Sequence, residues 1–184
     1  MPKGEIQVMD ISPHDSEALA PTGALRATIN LSNPILARQD AGQPPTGVSV
    51  GLARALATRL EVSLELFVFD GAAKAVDAVS NARADIGFFA IDRLRSQGIQ
   101  FTTPYVLFEG CYLVREGSSF HTHEDVEQRG VSVVVGKGSA YDLYLTRTLQ
   151  RGRACTCCDI ARRCRCVPRR WTRRRGGREA TVAL

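Results

Sequence analysis

Arg95 is the residue whose chemistry the sequence suggests most directly. It follows an apolar run, Asp85–Ile91, that is typical of a buried strand, and ligands of open α/β sheets bind beyond the carboxyl ends of the strands. A guanidinium can donate two parallel hydrogen bonds to one carboxylate. The competing interpretation is a solvated surface arginine beside Arg93, and the position alone does not decide between the two.

A second candidate is the turn Gly138-Ser139-Ala140, which comes directly before a helix and after the β-branched run Val131–Val135. Ser139 can cap that helix, and the free N–H groups at a helix start attract anions. By itself this pattern favours an ordinary cap. The preceding Lys137 does not complete a phosphate-binding loop, because Gly138 separates it from Ser139. We therefore predict no nucleotide site.

Other polar residues give weaker signals. His121 and His123 are two positions apart in an acidic loop, where a turn leading into a short helix is favoured over a metal site. We find no nucleophile–histidine pairing and no pair of acids suited to general acid and base catalysis. The sequence therefore predicts neither a metal or cofactor site nor a catalytic constellation.

The pattern of apolar residues predicts the elements that would position these candidates. Alternation predicts strands, and apolar residues at three- and four-residue steps predict helices. The strand predictions are Leu25–Leu31, Val62–Phe69, Asp85–Ile91, Phe108–Arg115 and Val131–Val135, and the helix predictions are Val48–Leu60, Ala72–Ala82 and Ala140–Leu149. Because strands and helices alternate, we expect an α/β fold with a mainly parallel sheet, preceded by a loose arm over residues 1–24.

The last 34 residues differ from the rest in charge and in cysteine content. Residues 1–150 carry a net charge of −4 and residues 151–184 a net charge of +9, and five of the six cysteines lie in the second segment. Zinc binding through its cysteines and nucleic-acid binding through its arginines are two interpretations. We favour a third, a shift of reading frame near Arg151, which predicts a disordered tail over residues 151–184.

From about Leu25 to Gln150 the chain resembles the family 3 extracellular solute-binding proteins, which have the type II periplasmic-binding-protein fold. The resemblance rests on four segments in the family's order: LRATINLSNP, TGVSVGLARALATRL, DIGFFAIDRLRSQGIQFTTPYVLFEGCYLV and VSVVVGKGSAYDLYL. Gly51 departs from the family pattern, since an acid is usual there. The resemblance implies lobe 1 over residues 25–107, then a crossover and partial lobe 2 over residues 108–150, with an incomplete second lobe.

The resemblance also implies which residues contact the ligand. Arg95 matches the arginine that holds the ligand carboxylate, and Ser139 and Ala140 match the turn that meets the same group. The other expected contacts are Asn33, Phe88, Ala90 and Asp92. At Ala90 the family's usual hydroxyl is absent, and Asp92 is expected to replace it in part or to cap the turn.

The implied function is binding of an amino acid or a similar small carboxylate for uptake by an ABC transporter, impaired if the second lobe is incomplete. We expect a monomer whose partners are the ligand and the membrane subunits of the transporter, with no nucleic acid. The family implies a periplasmic location, although Met1–Asp15 has no apolar segment typical of a signal peptide. A dehydratase on the same fold is the alternative, with Glu109 or Asp92 as its acid or base.

Overall fold

A computed structural model of the chain describes residues 11–114, 116–149, 153–157 and 179–183. The chain divides into two compact units. The first runs to Asp70 and resumes over Lys74–Phe89, and the second holds Gly71–Ala73 and the described residues from Ala90 onward. The boundary at Phe89 lies earlier in the chain than the lobe boundary expected after residue 107.

The first unit is built on a three-stranded parallel sheet with the strand order β2-β1-β3. Its strands are β1 (Ala24–Asn30), β2 (Ser63–Phe69) and β3 (Ile86–Gly87), and its helices are α1 (Pro13–Leu19), α2 (Val48–Leu60) and most of α3 (Ala72–Ser80). β1 is the central strand and is buried along most of its length. The predicted parallel β-α-β-α-β order is therefore confirmed.

Small residues allow α2 to lie close to the sheet. Leu25 of β1 packs against Ala57 and Leu60 of α2, while Ile29 packs against Val50 near the start of the helix. Gly47 precedes α2 with φ of 122°, and a Cβ atom there would lie 2.5 Å from the carbonyl oxygen of Leu36. This position therefore requires glycine.

The edge strand β3 is fastened to β1 by Asp85. Its carboxylate accepts hydrogen bonds from the Arg26 backbone N–H (2.8 Å), Nε (3.1 Å) and Nη2 (2.6 Å). Only 7% of the Asp85 side chain is exposed. The hydrogen bond and charge of Asp85 raise the pKa of Arg26, so this is a tightly paired ion pair within the sheet.

Two predictions for the first unit were wrong. Within the loose arm expected over residues 1–24, Pro13–Leu19 forms α1, which begins with Pro13 and has a reciprocal cap between Ser12 and Asp15. Residues 1–10 of that arm lie outside the described residues. The strand predicted over Asp85–Ile91 keeps only the two residues of β3. Among the described residues β3 pairs with β1 alone, so no strand on its other side holds the following residues in a ladder.

The second unit is built on a mixed sheet with the strand order β4-β7-β5-β6. Its elements are β4 (Cys111–Leu113), α4 (His123–Val126), β5 (Ser132–Gly136), α5 (Ala140–Thr148), β6 (Arg153–Cys157) and β7 (Glu179–Ala183). Val133 and Val135 of β5 pack against Leu145 of α5 in the core of this unit. α5 therefore covers the sheet and begins directly after the central strand.

The prediction of a disordered tail was wrong for two segments. β6 and β7 both pair with β5 in parallel, one on each side, and β4 pairs antiparallel with β7. A buried central strand needs hydrogen-bond partners on both edges, and these two segments supply them for β5. The other residues of the predicted tail lie outside the described residues.

The helices of the described residues are short, and α2 with 13 residues is the longest of them. None of them has both the length and the apolar character needed to cross a membrane.

Candidate functional site

Arg95 is carried by a tight turn that Asp92 organises. The Asp92 carboxylate accepts the Leu94 N–H at 2.9 Å, and its carbonyl accepts both the N–H and the hydroxyl of Ser96 at 3.0 Å. A short 3-10 helix, Arg95–Gln97, follows and ends at Gly98. The side chain of Asp92 therefore caps the turn and sets the direction in which Arg95 leaves the backbone.

The guanidinium of Arg95 is buried but keeps unused donors. Nη1 donates to the Ala90 carbonyl at 3.1 Å and Nη2 to the Gly138 carbonyl at 3.0 Å. The residue is only 7% exposed. A guanidinium has five N–H donors, so three have no acceptor among the described residues. No buried side-chain nitrogen among the described residues lacks a partner, so Nε, which has no acceptor, is in contact with solvent.

Burial lowers the pKa of Arg95, and the nearby charge of Asp92 partly opposes this effect. Because the pKa of an arginine starts far above neutral, the side chain stays protonated at neutral pH. It therefore offers a fixed positive charge held by two neutral carbonyls, and no carboxylate among the described residues is hydrogen-bonded to it.

The turn before α5 is shaped by reciprocal hydrogen bonds. Ser139 Oγ accepts the Asp142 N–H at 3.1 Å, while the Asp142 carboxylate accepts the Gly138 N–H at 2.8 Å. Gly138 has φ of +70°, and a Cβ atom there would lie 2.7 Å from Cβ of Ala73. Conformation and close approach therefore both require glycine beside Arg95.

These bonds determine which groups of the turn remain for a ligand. The Ser139 N–H donates to the Gly136 carbonyl at 3.0 Å, so it is already in use. The N–H groups of Ala140 and Tyr141, the first two residues of α5, have no acceptor within the described residues, as expected at a helix start. The turn therefore keeps the Ser139 hydroxyl proton and two backbone donors.

Asp92 has an ion-pair partner that the sequence did not indicate. Arg147, in the last turn of α5, donates to it from Nη2 at 2.8 Å and from Nη1 at 3.4 Å. The Asp92 side chain is 5% exposed and that of Arg147 is 40% exposed. The hydrogen bond with Arg147 lowers the pKa of Asp92, and this effect is larger than the opposite effect of burial. No local pattern could have linked residues so distant in sequence.

The two remaining predicted residues belong to the first unit. Asn33 follows β1, and its side-chain oxygen accepts the Ile35 N–H at 3.1 Å, so it shapes its own loop. Phe88 follows β3 and packs half-buried against the cluster containing Ile29. Of the seven predicted residues, Ala90, Asp92, Arg95, Ser139 and Ala140 thus lie around one guanidinium and one helix start in the second unit.

Two further features carry no site chemistry. His123 begins the short helix α4 and stacks edge-on against Tyr112 with ring centroids 5.3 Å apart. No group of three or more potential metal ligands occurs among the described residues. A shallow hollow of about 480 Å³ lies beside Gly23 and Val62, at the amino ends of β1 and β2, whereas ligands of parallel sheets bind at the carboxyl ends.

Several solved structures have a fold similar to that of this chain. The chain is similar to the ancestral amino acid-binding protein that is a precursor of cyclohexadienyl dehydratase, with a TM-score of 0.66 and 21% identity over 77% of this chain and 64% of that one. It is also similar to a putative ABC-transporter binding component from Wolinella succinogenes complexed with lysine (TM-score 0.63, 20% identity, 74% and 60% covered). A third similar structure is the substrate-binding protein AbpA from Streptococcus pneumoniae bound to L-arginine (TM-score 0.63, 22% identity, 76% and 61% covered).

The chain thus spans slightly under two thirds of the length of these proteins, and the predicted α/β fold of the type II periplasmic binding proteins is confirmed. No curated protein sequence matches significantly. The family model of the bacterial extracellular solute-binding proteins, family 3, matches residues 25–173, beyond the residue 150 to which the motifs extend. The chain belongs to this family.

Proposed function

We propose that this chain binds the carboxylate group of an amino acid or a similar small carboxylate, as the ligand-binding component of an ABC transporter. The observation that carries the proposal is the guanidinium of Arg95, buried and anchored by the carbonyls of Ala90 and Gly138. Binding would take place outside the cytoplasm, as the family description implies, with the protein acting as a monomer on the membrane subunits of the transporter.

The donors around Arg95 suit a carboxylate in number. Two carbonyls hold the guanidinium in place and leave three of its N–H donors for a ligand, and a guanidinium can bind one carboxylate through two parallel hydrogen bonds. The start of α5 adds the N–H groups of Ala140 and Tyr141 and the positive end of the helix dipole. A carboxylate bound there would neutralise a charge that is already desolvated.

We further propose that binding is not followed by catalysis. Of the two acids considered for a dehydratase, Asp92 is held ionised by its hydrogen bond with Arg147, which lowers its pKa. A carboxylate with a lowered pKa is a poor proton acceptor at neutral pH. Glu109 is exposed in a segment without regular structure. Neither arrangement resembles a positioned acid or base.

The test is calorimetric titration of the full chain with a panel of amino acids and small carboxylates, each beside its carboxamide. We expect the acids to bind and the amides not to bind. Replacing Arg95 by Lys removes the planar fork but keeps the charge, so affinity should fall at least about tenfold, about 1.4 kcal/mol.

Arg93→Lys is the matched control, because Arg93 is exposed two residues away and should leave affinity unchanged. Equal losses in the two variants, or no binding of any acid at millimolar concentration, would overturn the proposal. Turnover of a bound acid, followed by mass spectrometry, would instead support the dehydratase alternative.

A further inference from the structure

We infer that Arg147 is a positioning residue for carboxylate binding: it holds the Asp92 carboxylate away from Arg95, so that the guanidinium of Arg95 stays open to the ligand. This inference rests on the proposed function of Arg95. The geometry behind it is the ion pair between Arg147 and Asp92, which lies beside the turn that carries Arg95.

The turn is held against both ends of α5. At the beginning of the helix Arg95 donates to the Gly138 carbonyl, and in the last turn Arg147 donates to Asp92. Arg147 lies seven residues beyond Ala140, the first residue of α5, which is about 10 Å along the helix axis at 1.5 Å per residue. A segment fixed at two such points cannot pivot about either one. The direction of the Arg95 side chain is therefore set in part by a residue that does not touch it.

Charge gives the attachment its second role. Asp92 lies close enough to Arg95 for their charges to interact, yet its hydrogen bonds go to Arg147 and to the Leu94 N–H. Without Arg147, the buried carboxylate would lose its only hydrogen-bonded cation among the described residues. A buried carboxylate without a partner is strongly unfavourable, and the nearest replacement is the guanidinium of Arg95. Asp92 would then occupy the donors that a ligand carboxylate needs.

The decisive experiment is a titration series with the carboxylates that bind the wild-type chain. Arg147→Met, which keeps the apolar stem and removes the charge, should weaken binding about tenfold or more, because the Asp92 carboxylate then competes with the ligand for the guanidinium of Arg95. Arg147→Lys should recover most of the affinity. The double variant Asp92→Asn with Arg147→Met should also recover it, since no carboxylate remains to compete for Arg95.

A merely structural role gives a different pattern, in which the double variant binds as weakly as Arg147→Met or more weakly. That outcome would overturn the inference. Arg129→Met is the matched control for loss of charge, because Arg129 is exposed in the loop before β5. Its affinity should equal that of the wild type.

A readout without ligand separates this inference from the proposed function. Amide hydrogen exchange at Leu94, whose N–H is held by Asp92, should be faster in Arg147→Met, while exchange at Val133 and Val134 in β5 should not change. If no carboxylate binds the wild-type chain, the proposed function fails, but the exchange at Leu94 still tests the turn. Unchanged exchange at Leu94 would show that Arg147 does not hold Asp92, and the inference would then fail.

Discussion

Asp85 and Asp92 lie seven positions apart, on either side of the boundary between the two units, and are buried to nearly the same extent. The Asp85 side chain is 7% exposed and that of Asp92 is 5% exposed, and each is paired with one arginine. Their partners differ. Arg26 lies on the adjacent strand and offers its backbone N–H and two side-chain nitrogens, whereas Arg147 offers one short and one long hydrogen bond and is itself 40% exposed.

The comparison shows that burial alone does not tell what an ion pair does. The carboxylate of Asp85 accepts three hydrogen bonds from one residue, Arg26, so this ion pair holds two strands in register. Asp92 divides its oxygens between a turn and a helix, next to an arginine that keeps unused donors. The first arrangement is suited to stability, and the second to adjusting the charge and direction of a neighbour.

The largest effect is expected for Asp85→Asn. It removes the anion of the half-buried Arg26 and weakens the charge-assisted hydrogen bonds of Asp85, and we expect the free energy of unfolding to fall by about 2 kcal/mol. Urea unfolding measures this loss. Asp70→Asn is the control, because its ion pair with Lys74 is exposed and should contribute little to the free energy of unfolding. Equal losses would mean that the bonds of Asp85 are no stronger than a surface pair.

A smaller effect is expected for Asp92→Asn. The amide oxygen can still accept the Leu94 N–H, and water can solvate the partly exposed Arg147, so unfolding should become easier by about 1 kcal/mol. Urea unfolding is again the measurement, under the conditions used for Asp85→Asn. A loss as large as that of Asp85→Asn would contradict the distinction between the two aspartates.

The smallest effect concerns pH. The hydrogen bond with Arg147 lowers the pKa of Asp92 below that of an ordinary aspartate. A lowered pKa stabilises the fold at pH values above the ordinary one, and this stabilisation is lost as the pH falls through the lowered value. The stability difference between wild type and Asp92→Asn should therefore be full at neutral pH and shrink below about pH 4. Urea unfolding at pH 7 and pH 3 checks this, and a constant difference would show that the pair does not control the titration.

The sequence predicted the helices and strands in which apolar residues recur at regular spacing. α2 begins and ends where the spacing of Leu52, Leu56 and Leu60 placed it, at Val48 and Leu60. β1, β2 and β5 lie within one residue of their predicted bounds. The capping signals of α1 were also present in the sequence, but a helix of seven residues is too short to show a clear apolar face.

The rest depended on distant contacts. β6 and β7 are strands because β5 lies between them, and nothing within either segment indicates that partner. At the site, the family pattern pointed to Arg95 and to the turn at Ser139. The two carbonyls that hold Arg95 and the pairing of Asp92 with Arg147 could not be predicted, because hydrogen bonds between residues far apart in sequence follow only from the packed fold.

The position of β5 between β6 and β7 also has a consequence for synthesis on the ribosome. Ser132 in β5 pairs with Arg153 on one side and with Glu179 on the other, so the two edges of the same strand gain partners at different times. At ordinary elongation rates the second edge stays open for on the order of a few seconds after β5 has been made. During that interval a run of three valines presents unpaired backbone groups, which is the kind of edge that other chains can join. Until β7 pairs with β5, this edge is therefore the part of the sheet that is most open to aggregation.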